Sequence, residues 1–280
     1  MEFIKTTDST TGEEVQLSFK DYGKGRPVVL IHGWPLSKEM WEYQIEDLVK
    51  AGLRVIKYDR RGFGKSSKPW NGYDYDTLTA DLNAIMEELD LKDAVLVGFS
   101  MGGGEAVRYL SKYGNARVSK LVLISAVVPY LKNTDDNPEG VPDEVFEEMM
   151  KKMKKDRIAF LDDFGKTFFG VNLINHPVSS PLLDYYRMLA SVAAPRATQQ
   201  CALSFAGTDF RNDVTSITVP TLIIHGDDDQ TVPIKASSDR TSKMIPNAEY
   251  KIYEGAPHGL FYTHREKLNE DLISFCTGNV

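Results

Sequence analysis

Three short stretches of the sequence carry residue types that could perform acyl transfer through an activated serine. The first is the G-x-S-x-G pattern at 98–102, which follows an apolar run and leads into a segment that can continue as a helix. In this arrangement of strand, sharp turn and helix, the serine projects from a strained bend, and the glycines let strand and helix approach. The bare pattern arises by chance in roughly one chain in ten of this length. With a predicted strand before it and a helix after it, Ser100 is the predicted nucleophile.

The other two stretches supply a base and an acid. A serine hydroxyl needs a base to remove its proton, and the base works best when a carboxylate fixes its tautomer. Asp227, Asp228 and Asp229 follow one predicted buried strand, and His258 lies in a loop bounded by glycine and proline after the last strand. Because the carboxyl ends of parallel strands form one edge of a sheet, we expect Ser100, one aspartate and His258 to meet there. Spacing alone does not decide which aspartate is used.

The remaining four histidines are predicted to have other roles. His264 falls in the first turn of the predicted last helix and is expected at the surface, and His176 is expected to be structural. His32 and His225 each end a buried strand before a glycine, which indicates a satisfied hydrogen-bonding role. A cation site on the three aspartates is an alternative, but adjacent side chains diverge and no EF-hand loop follows, so no metal is expected.

Acyl transfer also needs hydrogen-bond donors for the developing oxyanion. The backbone N–H of Met101, directly after the nucleophile, is one predicted donor. The second should come from the loop after the strand at 28–31, where Trp34 stands in a His-Gly-Trp-Pro segment.

The elements that must position these residues follow from hydrophobic periodicity. Strands are predicted at 2–7, 13–22, 28–31, 54–58, 93–99, 120–128, 220–226 and 249–254, and helices at 40–51, 75–89, 234–244 and from 263 to about 276. The first two strands should form an antiparallel edge, and the alternation after them predicts a mostly parallel sheet with helices on both faces. Thr263 and Glu266 form a T-x-x-E pattern, which predicts a capping box for the last helix.

The alternation stops between Pro129 and Val219, where amphipathic helical patterns replace buried strands. We therefore predict an α/β core formed by 1–128 and 219–280, with a helical cap at 129–218. The methionines and phenylalanines of this cap could line a pocket or pack the cap on the core.

Composition limits the partners and the compartment. The 280 residues carry a formal net charge of −7, which disfavours nucleic acid or an anionic membrane as the main partner. Neither a signal peptide nor an apolar stretch of bilayer length is visible. Cys201 and Cys276 lie far apart without metal-ligand spacing, so two reduced thiols are expected. These features predict a cytoplasmic protein.

With these motifs identified, the chain resembles the cofactor-free (non-haem) haloperoxidases and aryl esterases of the α/β-hydrolase superfamily. The resemblance covers nearly the whole chain, and its most specific motifs are HGWP at 32–35, YDRRGFGKS at 58–66, GFSMGGGE at 98–105, IHGDDDQTVP at 224–233 and APHG at 256–259. The family pattern HGxxD implies that Asp229 is the catalytic acid. The cap motifs around Phe164 and Phe168 also resemble the family, which implies that these two residues belong to the acyl pocket.

The resemblance implies an activity without haem, vanadium or flavin. Esters would be hydrolysed through an acyl-Ser intermediate, and hydrogen peroxide could replace water to give a peracid that oxidises bromide or chloride. Pro35 is expected to influence that choice, because proline lacks a backbone donor and restricts Trp34 to extended conformations, which orients a carbonyl near the attacking molecule. A homo-oligomer is also implied.

Two alternatives remain open at this point. One is a plain carboxylesterase or lactonase without a role for peroxide, which a comparison of peracid yield with ester turnover would distinguish. The other is a ligand-binding protein that keeps the triad but turns over slowly, with the cap as a receptor surface. A dehalogenase or epoxide hydrolase is disfavoured, because those relatives carry aspartate where Ser100 stands. The natural acyl substrate does not follow from the sequence.

Overall fold

A computed structural model describes residues 2–8 and 11–278. Within these residues, eight strands form one sheet in the order β1-β2-β4-β3-β5-β6-β7-β8. The strands are β1 (Glu2–Thr7), β2 (Glu14–Tyr22), β3 (Pro27–Ile31), β4 (Arg54–Tyr58), β5 (Ala94–Phe99), β6 (Val118–Ile124), β7 (Thr221–Gly226) and β8 (Glu249–Tyr253). β1 and β2 are antiparallel to their neighbours, and the other pairs are parallel. The predicted antiparallel edge and parallel sheet are confirmed.

Helices connect these strands and cover both faces of the sheet. They are α1 (Glu42–Lys50, after a 3₁₀ turn at Lys38–Trp41), α2 (Tyr75–Glu88), α3 (Met101–Tyr113), α4 (Asp143–Lys155), α5 (Arg157–Phe168), α6 (Ser180–Ser191), α7 (Pro195–Gly207), α8 (Arg211–Thr215), α9 (Ser238–Met244), α10 (Leu260–Thr263) and α11 (Arg265–Thr277). Among the described residues, no helix has both the length and the apolarity needed to cross a membrane.

The core lies in two layers, one on each face of the sheet, because successive side chains of a strand point to opposite sides. In β3, Val29 and Ile31 pack with α2 and α3, whereas Val28 and Leu30 pack with α1 and α11. This two-sided burial explains why β3 is apolar throughout.

Helices α4 to α8 occupy the interval between β6 and β7, where the sequence predicts the cap. α4 packs against α5 and α7, and α5 packs against α6. We refer to α4–α8 as the cap helices. They lie over the carboxyl edge of the sheet, with Phe160 and Phe164 of α5 against Trp34 after β3.

Several predicted element boundaries differ from the structure, and three of these differences have a local cause. β6 ends at Ile124 rather than at 128, because Ser125 adopts a φ of 44° and the chain turns across the sheet edge. α9 begins at Ser238 rather than at 234, because turns occupy the residues before it. α11 begins at Arg265, and the hydroxyl of Thr263 lies 2.9 Å from His264 Nδ1, so the predicted capping box does not form.

Candidate active site

Ser100 lies at the junction of β5 and α3, at the carboxyl edge of the sheet. Its φ of 53° and ψ of −118° are rare for a residue with a side chain, as expected of a strained turn. A Cβ on Gly98 would lie 2.6 Å from the Cα of Gly103, and one on Gly102 would lie 2.5 Å from the carbonyl oxygen of Ile31. The glycines are therefore required for the close approach of strand and helix.

The structure brings His258 and Asp229 to this serine. His258 Nε2 lies 2.9 Å from Ser100 Oγ, and His258 Nδ1 lies 2.6 Å from Asp229 Oδ2. Because a carboxylate only accepts hydrogen bonds, Nδ1 carries the imidazole proton, which leaves Nε2 to accept the serine proton. This is the tautomer that a general base for Ser100 needs.

Backbone amides and a second histidine hold Asp229 in place. Its Oδ1 accepts hydrogen bonds from the N–H groups of Thr231 at 2.9 Å and Val232 at 2.8 Å. Burial alone would raise the pKa of Asp229, but the charges and hydrogen bonds of His258 and His225 outweigh it and hold that pKa well below its usual value. Asp229 is therefore an ionised acceptor for His258.

The two neighbouring aspartates point elsewhere. Asp227 Oδ1 accepts a hydrogen bond from the N–H of Gly255 at 2.6 Å, and Asp228 Oδ1 accepts one from the side-chain amide of Gln230 at 3.0 Å. The structure thus places only the third of the consecutive aspartates against His258, the position that the family resemblance implies.

His225 is closer to the site than the sequence indicated. As expected, both ring nitrogens have partners: Nδ1 lies 2.7 Å from Ser238 Oγ, and Nε2 lies 3.0 Å from the carbonyl oxygen of Val232. The same Nε2 lies 3.2 Å from Asp229 Oδ2, a contact that we did not predict. The available signal was the four-residue spacing of His225 and Asp229 across one tight loop.

The loop at 32–35 packs directly on the serine. A Cβ on Gly33 would lie 3.2 Å from the Cβ of Ser100, and the Trp34 indole donates from Nε1 to the carbonyl oxygen of Thr198 at 2.9 Å. The backbone N–H of Trp34 makes no hydrogen bond with any described residue. The N–H of Met101 is the first of α3, and the first N–H groups of a helix have no partner within it.

This combination of sheet order, strained serine turn and converging side chains matches one fold family. Residues 26–265 match the model of the alpha/beta hydrolase fold. The chain belongs to the α/β-hydrolase family. Within that family it is 43% identical over 268 residues to the non-heme chloroperoxidase of Kitasatospora aureofaciens, covering 95% of this chain and 98% of the relative.

Two further α/β hydrolases are similar to this chain over nearly its whole length. A protein of Acinetobacter calcoaceticus named bifunctional esterase/perhydrolase is 38% identical over 269 residues, covering 95% of this chain and 98% of the relative. The crystal structure of a bromoperoxidase from Bacillus anthracis superposes with a TM-score of 0.94 and is 47% identical, covering 99% of each chain.

In this α/β hydrolase, a cavity of about 550 Å³ opens beside Ser100 beneath the cap helices. One wall is aromatic: Phe160, Phe164 and Phe205 surround the indole of Trp34 with ring centroids 6.2, 5.2 and 5.4 Å from it. The opposite wall is aliphatic and is formed by Val127, Leu131, Val141, Val145, Met149 and Val232. The charged side chains in the lining, Glu144, Glu148, Lys152 and Asp163, are exposed.

Phe168 and Pro35 lie outside the lining of this cavity, unlike Phe164. Phe168 is one helical turn beyond Phe164 and is buried at the end of α5, where its ring packs against His258. Pro35 and Phe168 instead border a narrow cleft of about 20 Å³ behind the site. The family resemblance implied that Phe168 belongs to the acyl pocket. In the structure its ring contacts His258 instead.

Proposed function

We propose that this enzyme is a serine esterase whose acyl-enzyme can also react with hydrogen peroxide, as in the cofactor-free haloperoxidases. The observation that supports this most directly is the chain of hydrogen bonds from Ser100 through His258 to Asp229, open to an apolar cavity. The names of the relatives, a chloroperoxidase and a bifunctional esterase/perhydrolase, support the same pair of reactions.

Acylation begins when Ser100 Oγ attacks the ester carbonyl carbon. His258 Nε2 takes the hydroxyl proton, and Asp229 stabilises the imidazolium that forms. The carbonyl oxygen becomes an oxyanion, for which the N–H groups of Met101 and Trp34 are the donors. Collapse of the tetrahedral intermediate breaks the bond to the leaving oxygen, which receives the proton from His258, and acyl-Ser100 remains.

The second step differs only in the attacking molecule. His258 removes a proton from water or from hydrogen peroxide, and attack on acyl-Ser100 releases a carboxylic acid or a peracid and restores the serine hydroxyl. The peracid then transfers one oxygen atom to bromide. Two electrons pass from bromide to the O–O bond, which leaves the carboxylic acid and hypobromite. Bromide needs no place in the cavity for this reaction.

The cavity favours neutral, apolar acyl groups. Its walls next to Ser100 are aromatic and aliphatic, and its volume exceeds what an acetyl group fills. Three carboxylates and one lysine, the charged side chains named above, lie at its mouth, so a free carboxylate meets a net negative charge. An ester or a protonated acid is thus the better acyl donor.

The test is a series of p-nitrophenyl esters of increasing acyl length, assayed with and without peroxide, alongside bromination in acetate, bromide and peroxide. We expect Ser100→Ala to lower both activities at least about 10⁴-fold, because both pass through acyl-Ser100. Ser180→Ala, at an exposed position on α6, is the control and should match wild type. Bromination that survives in Ser100→Ala would place the chemistry elsewhere.

The same series decides between the alternatives. A plain carboxylesterase or lactonase would turn over esters without forming peracid when peroxide is added. A slow ligand-binding protein would release one equivalent of p-nitrophenol and stop. Rapid multiple turnover together with peracid formation is the result that we expect.

A further inference from the structure

A buried group of polar side chains lies behind the loop that carries Trp34. His32, Arg60 and Glu105 are each at most 1% exposed. Arg60 donates from Nη2 to the carbonyl oxygen of His32 at 2.7 Å and from Nε to Glu105 Oε1 at 2.6 Å. Tyr58 donates to the other oxygen of Glu105 at 2.9 Å. Because Glu105 belongs to α3, whose N-terminus carries Ser100, this group ties the nucleophile's helix to the loop.

The tautomer of His32 follows from these partners. Its Nε2 lies 3.0 Å from the backbone N–H of Arg60, which can only donate, so Nε2 accepts. Nδ1 then carries the proton and donates to the carbonyl oxygen of Gly33 at 2.9 Å. Burial and the Arg60 charge hold the pKa of His32 well below its usual value, so the ring stays neutral and this arrangement persists.

The Gly33 carbonyl determines the direction of the Trp34 N–H. The two groups belong to one planar trans peptide, in which the C=O and the N–H point in opposite directions. The N–H of Leu36 also donates to this carbonyl oxygen, at 3.1 Å, so its direction is held from two sides. The N–H of Trp34 is thereby turned away from His32, in a loop that packs on Ser100.

We propose that His32, supported by Arg60 and Glu105, is a positioning residue for the oxyanion hole: by holding the Gly33 carbonyl, it directs the Trp34 N–H toward the oxyanion formed on the substrate. This inference rests on the proposed acyl transfer at Ser100. His32 touches no reacting atom, so its removal lowers transition-state stabilisation and leaves substrate binding intact.

Two substitutions distinguish the hydrogen bond that His32 accepts at Nε2 from the one that it donates from Nδ1. In His32→Gln, the side-chain oxygen reaches the position of Nε2 and accepts from Arg60, but no side chain donates to the Gly33 carbonyl, which keeps only the bond from the Leu36 N–H. In His32→Asn, the amide nitrogen occupies the position of Nδ1 and restores that donor. His176→Gln, in the exposed loop between α5 and α6, is the control for replacing a histidine remote from the site.

We expect His32→Gln to lower kcat and kcat/KM for p-nitrophenyl esters by the same factor, about 100-fold, the loss that follows removal of one oxyanion donor. His32→Asn should recover to within about tenfold of wild type, since the bond to Gly33 is rebuilt. Rates are expressed per serine titrated with a fluorophosphonate, so unfolded protein does not contribute. Affinity for phenylboronic acid, which forms a tetrahedral adduct on the serine, should fall in parallel with kcat.

Wild-type kcat in His32→Gln, or equal losses in the Gln and Asn variants, would overturn the proposal. If neither His32 variant yields titratable protein, Arg60→Lys tests the same series of hydrogen bonds. This substitution removes the guanidinium that donates to the His32 carbonyl. That variant should lose about tenfold in kcat at unchanged KM, and wild-type kcat would count against the proposal. Ester turnover that depends on Ser100 but not on His32 or Arg60 would refute this inference and leave the esterase function standing.

Discussion

The ring of Phe168 stands edge-on against the ring of His258, with centroids 4.8 Å apart and planes at 85°. Phe99 contacts the same imidazole at 4.9 Å. Both ring nitrogens of His258 are used by Asp229 and Ser100. The two phenylalanines therefore pack against the imidazole, while the hydrogen bonds set its rotation.

Phe168→Ala should lower kcat for all acyl lengths alike. Without this wall the imidazole leaves its reactive geometry part of the time, and small misplacements of a catalytic group cost about 10- to 100-fold. The deletion should also reduce the free energy of unfolding by about 3–5 kcal/mol. Steady-state kinetics and chemical denaturation test both effects. Phe168→Leu keeps most of the volume and should recover activity, and a change in acyl preference would contradict the assignment.

Phe164→Ala should instead change acyl preference. The Phe164 ring lies 5.2 Å from Trp34 in the aromatic wall, so its removal lengthens the cavity. We expect the ratio of kcat/KM for octanoyl over acetyl esters to rise about tenfold, within the range of one to a few methylene contacts. Val192→Ala, at an exposed position just after α6 and outside the lining of the cavity, is the control and should leave the ratio unchanged. An unchanged ratio would mean that acyl chains do not reach Phe164.

Asp229→Asn should lower kcat by about 10⁴-fold, because the amide no longer favours the imidazole tautomer with Nδ1 protonated. Asp228→Asn provides the matched control one residue away, since its carboxylate accepts a hydrogen bond from the exposed side chain of Gln230 rather than from His258. The control should stay within about twofold of wild type. Equal effects of the two substitutions, measured with one ester at saturation, would disprove the choice of Asp229.

Acid stability should also depend on Asp229. Its pKa in the folded protein lies below that of an unfolded aspartate, about 4. The ionised group therefore contributes stability above that value, and the contribution is lost as the pH falls through the lower folded pKa. His258 and His225 are the titratable groups that face this carboxylate, and the variant retains both.

We expect the gap in unfolding free energy between wild type and Asp229→Asn to narrow as the pH falls below about 4. Guanidinium denaturation between about pH 2 and pH 5 measures it for both proteins. Parallel pH dependences over this range would show that the ionised carboxylate does not stabilise the fold.

Local patterns determined much of this protein. The apolar run of β3 and the glycines around Ser100 encode a buried strand and a tight strand-to-helix turn through short-range sterics, and both formed as expected. His258 could be selected because its loop follows the last strand, since parallel strands bring such loops to one edge. The mostly parallel sheet followed from the alternation of elements in the same way.

Only the tertiary structure decided which atoms meet. The direction of Asp229 depends on the backbone amides of its own turn and on His225, whereas three adjacent aspartates look alike in sequence. Phe164 and Phe168 share one helix face, yet the course of α5 puts the first in the cavity and the second on His258. Likewise, His32, Arg60 and Glu105 come from three separate parts of the chain. Such contacts depend on how the elements are packed and placed relative to one another, which no local spacing records.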